Sequence, residues 1–268
     1  MLRFRYLIVA FTTASLGFWA NAQDLKIEDI DKSQFKNLIG DFSANSLHTS
    51  VQGAAPLGDI WGFEVGLVGG LTQTPELDKI VKQAEAGASA DQIYHAELLG
   101  VLSVPFALTG EIGLIPKLGG DDFKFSAMSL ALKFTPTELF FELPVDIAVK
   151  AALTKVEAEF HQEVNGNPVD YDFTNDVTHI GVFVSKNFVV LEPYAGVGLV
   201  NAKGDLSFSG TALVFDPTYT VGTSASEKTS STAFILGTEA KLLLLKLGLE
   251  YTHVFDTSRF TGKISFYF

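Results

Sequence analysis

The sequence predicts an all-β chain, an antiparallel transmembrane barrel of about ten strands with eight or twelve as alternatives, behind a short N-terminal amphipathic helix. Three observations predict it. Between Asn45 and Phe268 about ten segments alternate apolar and polar residues and are separated by turn residues, the pattern of strands that cross a membrane. Their second face carries Gly and Ala with single charges, where the solvated face of a soluble β-sandwich would be rich in Thr, Lys, Glu and Ser. The last strand stays apolar at every second position to the final residue, although soluble termini tend to be polar and frayed.

Taken in order, the chain opens with an export signal. Arg3 and Arg5 give a positive start, Leu7 to Leu16 an apolar core, and Ala20-Asn21-Ala22 a small-x-small cleavage site, so residues 1–22 are expected to be removed. The core is too short for a comfortable membrane anchor, which needs ~20 residues. With no cysteine, neither a lipid-modified N-terminal Cys nor a disulfide framework is possible. Roughly 246 residues remain, enough for one large β domain. They hold 17 basic against 31 acidic residues, a net charge of −14 that disfavours nucleic acid. Yet mean hydropathy is +0.26 and 23 residues are Phe, so the chain is not a disordered acidic one and its charge must be segregated from its apolar surface.

Leu25 to Phe42 has helical spacing at Ile27, Ile30, Phe35, Leu38, Ile39 and Phe42, giving a helical region over 23–44 ahead of a barrel over 45–268. It is expected to cap the barrel from the periplasm, with insertion into the lumen as a plug the alternative. Pro75 to Ala86 is a second amphipathic candidate, expected as a periplasmic connector.

The strands follow. Ser46 to Gln52 sets Leu47, Thr49 and Val51 against His48 and Ser50. From Ile60 to Thr72, Trp61, Phe63, Val65 and Leu67 oppose Gly62, Glu64 and Gly66. From Pro105 to Lys117, Leu108, Ile112 and Leu114 oppose Thr109, Glu111 and Gly113. Next, Met128, Leu130 and Leu132 oppose Ser129 and Lys133, and Ile147, Val149 and Leu153 oppose Asp146, Lys150 and Thr154. In the C-terminal half Ile180 and Val182 oppose His179, Val197 and Leu199 oppose Glu192 and Tyr194, and Phe234 and Leu236 oppose Glu239 and Lys241. Finally Leu247 and Leu249 oppose Lys246 and Glu250, and Phe260, Ile264, Phe266 and Phe268 oppose Thr261, Lys263 and Ser265. One face suits lipid. The candidate lumen lining is therefore Glu64, Glu111, Lys133, Asp146, Lys150, His179, Glu192, Tyr194, Glu239, Lys246, Glu250 and Lys263.

An even strand count returns both ends to the periplasm and places long connections outside. Working back from the C-terminus, Asp256 to Ser258, Asp216 to Ser230, Gln162 to Asn175 and Gly119 to Asp122 become outer, while Lys241 to Leu243 and Thr135 to Leu143 become periplasmic. Leu191 to Val214 must then be one long strand, bulged at Ala202 to Gly204.

The closing strand, with Ile264, Phe266 and Phe268 at the matching positions, resembles that of bacterial outer-membrane barrels, which implies delivery to the barrel-assembly machinery. Trp61-Gly62-Phe63-Glu64-Val65, Leu143-Pro144-Val145-Asp146-Ile147-Ala148 and Glu192-Pro193-Tyr194-Ala195-Gly196-Val197-Gly198 extend the resemblance. They are similar to a family of uncharacterised Gram-negative outer-membrane barrels known as a domain of unknown function. A weaker similarity is to outer-membrane fatty-acid transporters, which are much longer, so no fatty-acid site carries over.

No phosphate loop, HExxH, GxSxG or His cluster is present, so no cofactor, no metal and no catalytic residue is expected. His179 and Ser185 share a face but stand about 20 Å apart. Charge of both signs on the lumen face must pair, since an unpaired buried ion costs several kcal/mol. Three readings follow: a narrow channel or transporter for a small solute, hydrophobic ones included; a structural or surface-interaction barrel with a closed, salt-bridged lumen; and a lipid-modifying enzyme with a cross-strand Ser and His. The first is preferred, with outer-membrane lipid as surroundings.

Overall fold

The alternating segments close into a ring. In the computed structural model, which describes residues 32–58, 61–84, 87–120, 123–140, 143–164, 167–210 and 224–268, ten antiparallel strands form a closed barrel in which neighbours in sequence are paired and the last strand pairs with the first. They are β1 (Gly62–Gln73), β2 (Gln92–Val104), β3 (Leu108–Gly119), β4 (Phe123–Phe134), β5 (Asp146–Val164), β6 (Asn167–Ser185), β7 (Leu191–Gly210), β8 (Ser224–Leu242), β9 (Leu245–Val254) and β10 (Thr257–Tyr267). Among the described residues three helices accompany them, α1 (Lys32–Ser46), α2 (Pro75–Ala84) and α3 (Thr137–Phe140). The expected signal peptide, residues 23–31 of the expected helical region, the end of the expected strand over 211–214 and residues 216–223 of the expected outer loop lie outside the described residues.

The barrel is inverted relative to a soluble protein. Leu67, Leu132, Leu153, Ile180, Leu199, Phe234 and Leu249 on its outer face are 55% to 68% exposed, whereas Glu64, Lys133, His179 and Glu239 on the inner face are at most 2% exposed. An apolar outside around a charged inside is stable only where lipid replaces water. Trp61, Phe106, Phe188 and Phe268 add exposed aromatics at the C-terminal end. At the other end β5 to β8, each 19 or 20 residues long, run well past the ~10 residues a membrane strand needs. That projecting end is the outer one by the rule that long connections face outward.

Ten strands are present, but two expectations offset one another. Ser46 to Gln52 forms no strand, because residues 47–57 run as irregular chain inside the lumen, so the barrel wall begins at Gly62 and not at 45. In its place stands β2, which the alternation does not reveal: Ile93, Leu99 and Val101 face inward beside His95, Glu97 and Ser103, while Tyr94, Leu98 and Leu102 face outward, so apolar residues on both faces interrupt the period. With β2 included, β1 runs outward, and α2 sits at the outer mouth, not in the periplasm. Gln162 to Asn175 is not a loop either, since β5 and β6 pair continuously to Val164↔Asn167. The bulge expected at Ala202 to Gly204 is absent from the even β6–β7 register, and Ser224 to Ser230 belongs to β8. A register shift occurs instead in β3, between Ile115 and Leu118.

Helix α1 lies inside the outer end of the barrel. Phe35, Ile39, Ala44 and Leu47 pack on Val177, Val200, Ala202 and Ala233 of the wall, and Leu38 and Phe42 pack with Phe160, Tyr171 and Phe173 and with Leu77, Ile80 and Val81 of α2. Gly204 leaves the room that the Ile39 side chain fills. The helix ends where the Ser46 hydroxyl donates back to the Phe42 carbonyl at 2.8 Å, a local bond that competes with the helical ladder.

Candidate functional site: a lumen filled by the chain itself

From Leu38 to Ala54 every residue is buried except Ser46, which is half-buried. The chain descends the lumen from the outer mouth to the periplasmic start of β1. This plug, uncharged from Phe42 onward, meets the wall through hydrogen bonds to neutral and charged groups alike. Asn45 Oδ1 accepts from the Thr72 hydroxyl at 2.9 Å, Gln52 Nε2 donates to Glu64 at 2.7 Å, and the Ala54 and Leu57 amides donate to the Ser185 and Ser103 hydroxyls, each at 2.9 Å. Two wall cations grip its backbone: Lys133 Nζ donates to the Gly53 and Ala55 carbonyls, each at 2.9 Å, and Arg259 donates to the Leu47 carbonyl. Val51, Leu57, Val68, Leu99 and Val101 form its apolar contact with β1 and β2. Val51 holds a φ of 47°, unusual for a β-branched residue, and its amide donates to Thr49 Oγ1 at 3.0 Å.

The wall pairs most of its own charges. On four adjacent strands, β8, β9, β10 and β1, Glu239, Lys246, Lys263 and Glu64 form one network: Lys263 reaches Glu64 at 2.8 Å and Glu239 at 2.6 Å, and Lys246 reaches them at 3.0 and 3.3 Å. Ser265 donates to Glu64 at 2.7 Å, completing that carboxylate. Glu111 pairs with Lys150 at 2.6 Å, Glu192 with Lys241 at 3.0 Å, and Tyr194 donates to Glu250 at 2.9 Å. His179 is buried against Phe183 with neither ring nitrogen hydrogen-bonded. Asp146 stands half-buried at the periplasmic start of β5, apart from these networks. The structure thus places Glu64, Glu111, Lys133, Lys150, His179, Glu192, Tyr194, Glu239, Lys246, Glu250 and Lys263 on the inner face, all buried.

Several inner residues escape the sequence reading. Arg259 could have been found, since it continues the alternation Thr261, Lys263, Ser265. His95 and Glu97 lie on the unrecognised β2. His48 is on the plug and not on a strand, and it bridges Ser129 Oγ at 2.7 Å and Glu111 Oε2 at 2.8 Å. Hydroxyl, imidazole and carboxylate in series have the order of a nucleophile, its base and an orienting acid. Here they act as a strut between plug and wall. Glu111 is already neutralised by Lys150, and the Ser129 hydroxyl opens on a cavity of about 30 Å³, room for roughly two waters and no acyl group. Among the described residues no cluster of three His, Asp or Glu could hold a metal.

At the outer mouth Asp41 of α1 latches the plug to α2. Its Oδ2 accepts from the Glu76 and Leu77 amides at 2.9 and 3.0 Å, at the helix start set by Thr74 and Pro75, and its Oδ1 accepts from the Thr257 hydroxyl at 3.1 Å. Burial pushes the carboxyl from 3.8 up to about 6, outweighing the hydrogen bonds that favour its ionised form. A raised carboxyl gives docking a contribution that is complete below about pH 4 and is lost as pH rises through 6. The docked plug is therefore expected to resist protease better at pH 5 than at pH 7.5, and Asp41→Asn should flatten the difference. An unchanged difference in that variant would exclude Asp41 as its source.

The family model that covers residues 84–268 is a family of unknown function, DUF6588. The chain belongs to that family. No curated protein matches it significantly. Among solved structures it is similar to the attachment invasion locus protein Ail of Yersinia pestis, at 14% identity over 78% of this chain and 97% of that one, TM-score 0.33. It is also similar to the translocator domain of the autotransporter NalP from Neisseria meningitidis, at 9% identity over 79% and 89%, TM-score 0.47. The toluene transporter TbuX of Ralstonia pickettii is similar at 8% identity over 85% and 97%, TM-score 0.35.

Proposed function

We propose that this barrel is a gated outer-membrane transporter for a small, apolar solute, closed at rest by its own N-terminal segment. The observation that carries this reading is the division of charge. Phe42 to Leu57 contains no Asp, Glu, Lys or Arg, while the wall matches most of its buried carboxylates against its own lysines. Withdrawing the plug therefore breaks no buried carboxylate–lysine pair of the wall; the pair it does separate, Lys32 with Glu227 at 3.2 Å, stands at the exposed outer end, and Lys133, Lys150 and Arg259, which let go of plug oxygens, gain water in exchange. In this reading the chain reaches the outer membrane after losing residues 1–22, and Ile264, Phe266 and Phe268 address it to the assembly machinery.

The structural reading of a permanently closed barrel is favoured by one observation, the Glu64, Glu239, Lys246 and Lys263 network, to which the plug adds Gln52 as a fifth member. Uptake separates the two. Cells carrying the protein are expected to accumulate labelled 1-naphthol or naphthalene several-fold faster than cells without it, while the refolded protein shows no steady ion conductance. Equal accumulation with and without the protein would leave the closed structural barrel.

A further inference from the structure

The wall has one incomplete seam. β2 and β3 pair only from Leu98↔Leu114 to Val104↔Leu108, although β2 continues outward to Gln92 and β3 to Gly119. Every other neighbouring pair is laddered to within two residues of the outer end of its shorter strand. Pro116 lacks an amide proton and cannot donate across the seam, and β3 shifts register against β4 between Ile115 and Leu118, just where the β2–β3 ladder stops. An unladdered seam at membrane depth is tolerated only where something else satisfies the backbone or the gap is used. Outside it is rimmed by exposed Tyr94, Leu98, Leu114, Leu118 and Met128.

Behind the seam lies the cavity of about 30 Å³ onto which Ser129 opens, lined also by His95, Glu97, Ile115 and Arg259. Two of its polar atoms are buried and unpartnered, Glu97 Oε1 and His95 Nδ1. Arg259 Nε donates to His95 Nε2 at 3.3 Å, which leaves the ring proton on Nδ1. The site thus offers one acceptor, the Glu97 carboxylate, and one donor, the His95 N–H, two residues apart on the same strand face. A hydroxyl is the group that both donates and accepts through one small atom. We propose that the outer half of the β2–β3 seam is a lateral portal whose inner end, Glu97 and His95, binds the hydroxyl of an otherwise apolar alcohol or phenol arriving from the membrane. The cavity has room for the hydroxyl, and the apolar body lies in the seam among Leu98, Leu114 and Ile115. This deepens the transporter reading and rests on it for its purpose, although the site itself can be tested without transport.

The test uses the full mature chain in lipid nanodiscs, with protein-free discs subtracted, and compares binding of 1-naphthol with that of naphthalene. Wild type is expected to prefer the naphthol about tenfold, the worth of one or two hydrogen bonds. Glu97→Leu and His95→Phe should each bring the ratio close to one. A ratio near one in wild type, or one that both variants leave intact, overturns the site, and the cavity then holds water alone. The route is tested in this cysteine-free chain by Ala96→Cys with Pro116→Cys, positions that would face each other if the ladder continued. Oxidation should abolish 1-naphthol accumulation by cells and reductant restore it, while the laddered pair Ala151→Cys with Ile180→Cys should have no such effect. Accumulation that survives a closed seam overturns the portal and spares transport. A hydroxyl preference in discs without accumulation in cells overturns transport and the portal and spares the binding site.

Discussion

Removal of residues 32–57 is expected to turn a silent barrel into a steadily conducting one. The wall does not depend on the plug for closure, because its ladder is continuous around the ring except in the outer half of one seam. Nor do its buried pairs depend on the plug for charge. On the inner face Lys133, Lys150, Lys241, Lys246, Lys263 and Arg259 stand against Glu64, Glu97, Glu111, Glu192, Glu239 and Glu250, with Asp146 and Glu227 in excess, and Glu227 meets Lys32 of the N-terminal helix at 3.2 Å near the exposed outer mouth. What the plug contributes is volume and apolar contact. Its loss exposes Val68, Leu99, Val101, Val200 and Ala233 to water, which costs about 1.5 to 3 kcal/mol for each larger side chain, so the variant should be less heat-resistant yet still folded. In planar bilayers wild type should show no steady current. The shortened chain should show uniform steps with a modest preference for cations, because Asp146 and Glu227 leave carboxylates in excess on the inner face. A shortened chain that keeps its heat-dependent gel shift but stays silent would mean that wall side chains fill the lumen unaided, and the gate would have to be given up.

The fold was legible wherever the two faces of a strand meet different surroundings. On β4, Lys133 and Ser129 face the lumen while Leu130 and Leu132 face lipid, and the period of two is plain. On β2 the lumen side meets the plug at Val51 and Leu57 around Leu99 and Val101, and packs with Phe42 and α2 around Ile93, so these three are as apolar as the lipid side and, despite His95, Glu97 and Ser103 between them, the period is interrupted. The plug fails in the opposite sense. Leu47, Thr49 and Val51 alternate with His48 and Ser50 as a strand would, yet this stretch pairs with no neighbour and lies in a polar lumen. A pattern of period two records two environments and says nothing of a ladder. Paired charges across strands, such as Glu64 with Lys263, depend on register, which sequence spacing within one strand does not carry. The site built by Glu97, His95 and Arg259 was hidden for both reasons.

Lys263→Met should be the most damaging single substitution in the wall. Lys263 is fully buried between Glu64 at 2.8 Å and Glu239 at 2.6 Å, and its loss leaves two buried carboxylates sharing Lys246 alone. Breaking a buried pair from one side costs about 3 to 5 kcal/mol, because the remaining charge has lost both its water and its partner. Adding Glu239→Gln restores one carboxylate to one lysine, so the double variant should recover more than half of that loss, a coupling that independent sites would not show. The contrast is Lys155→Met. Lys155 meets Glu157 at 2.7 Å, but both are more than half exposed, and an ion pair in water is worth about 0 to 1 kcal/mol. Reversible urea unfolding in lipid vesicles reads all three. A cost for Lys263→Met no greater than that for Lys155→Met would mean that water reaches the network, and with it that the lumen is already open at its periplasmic end.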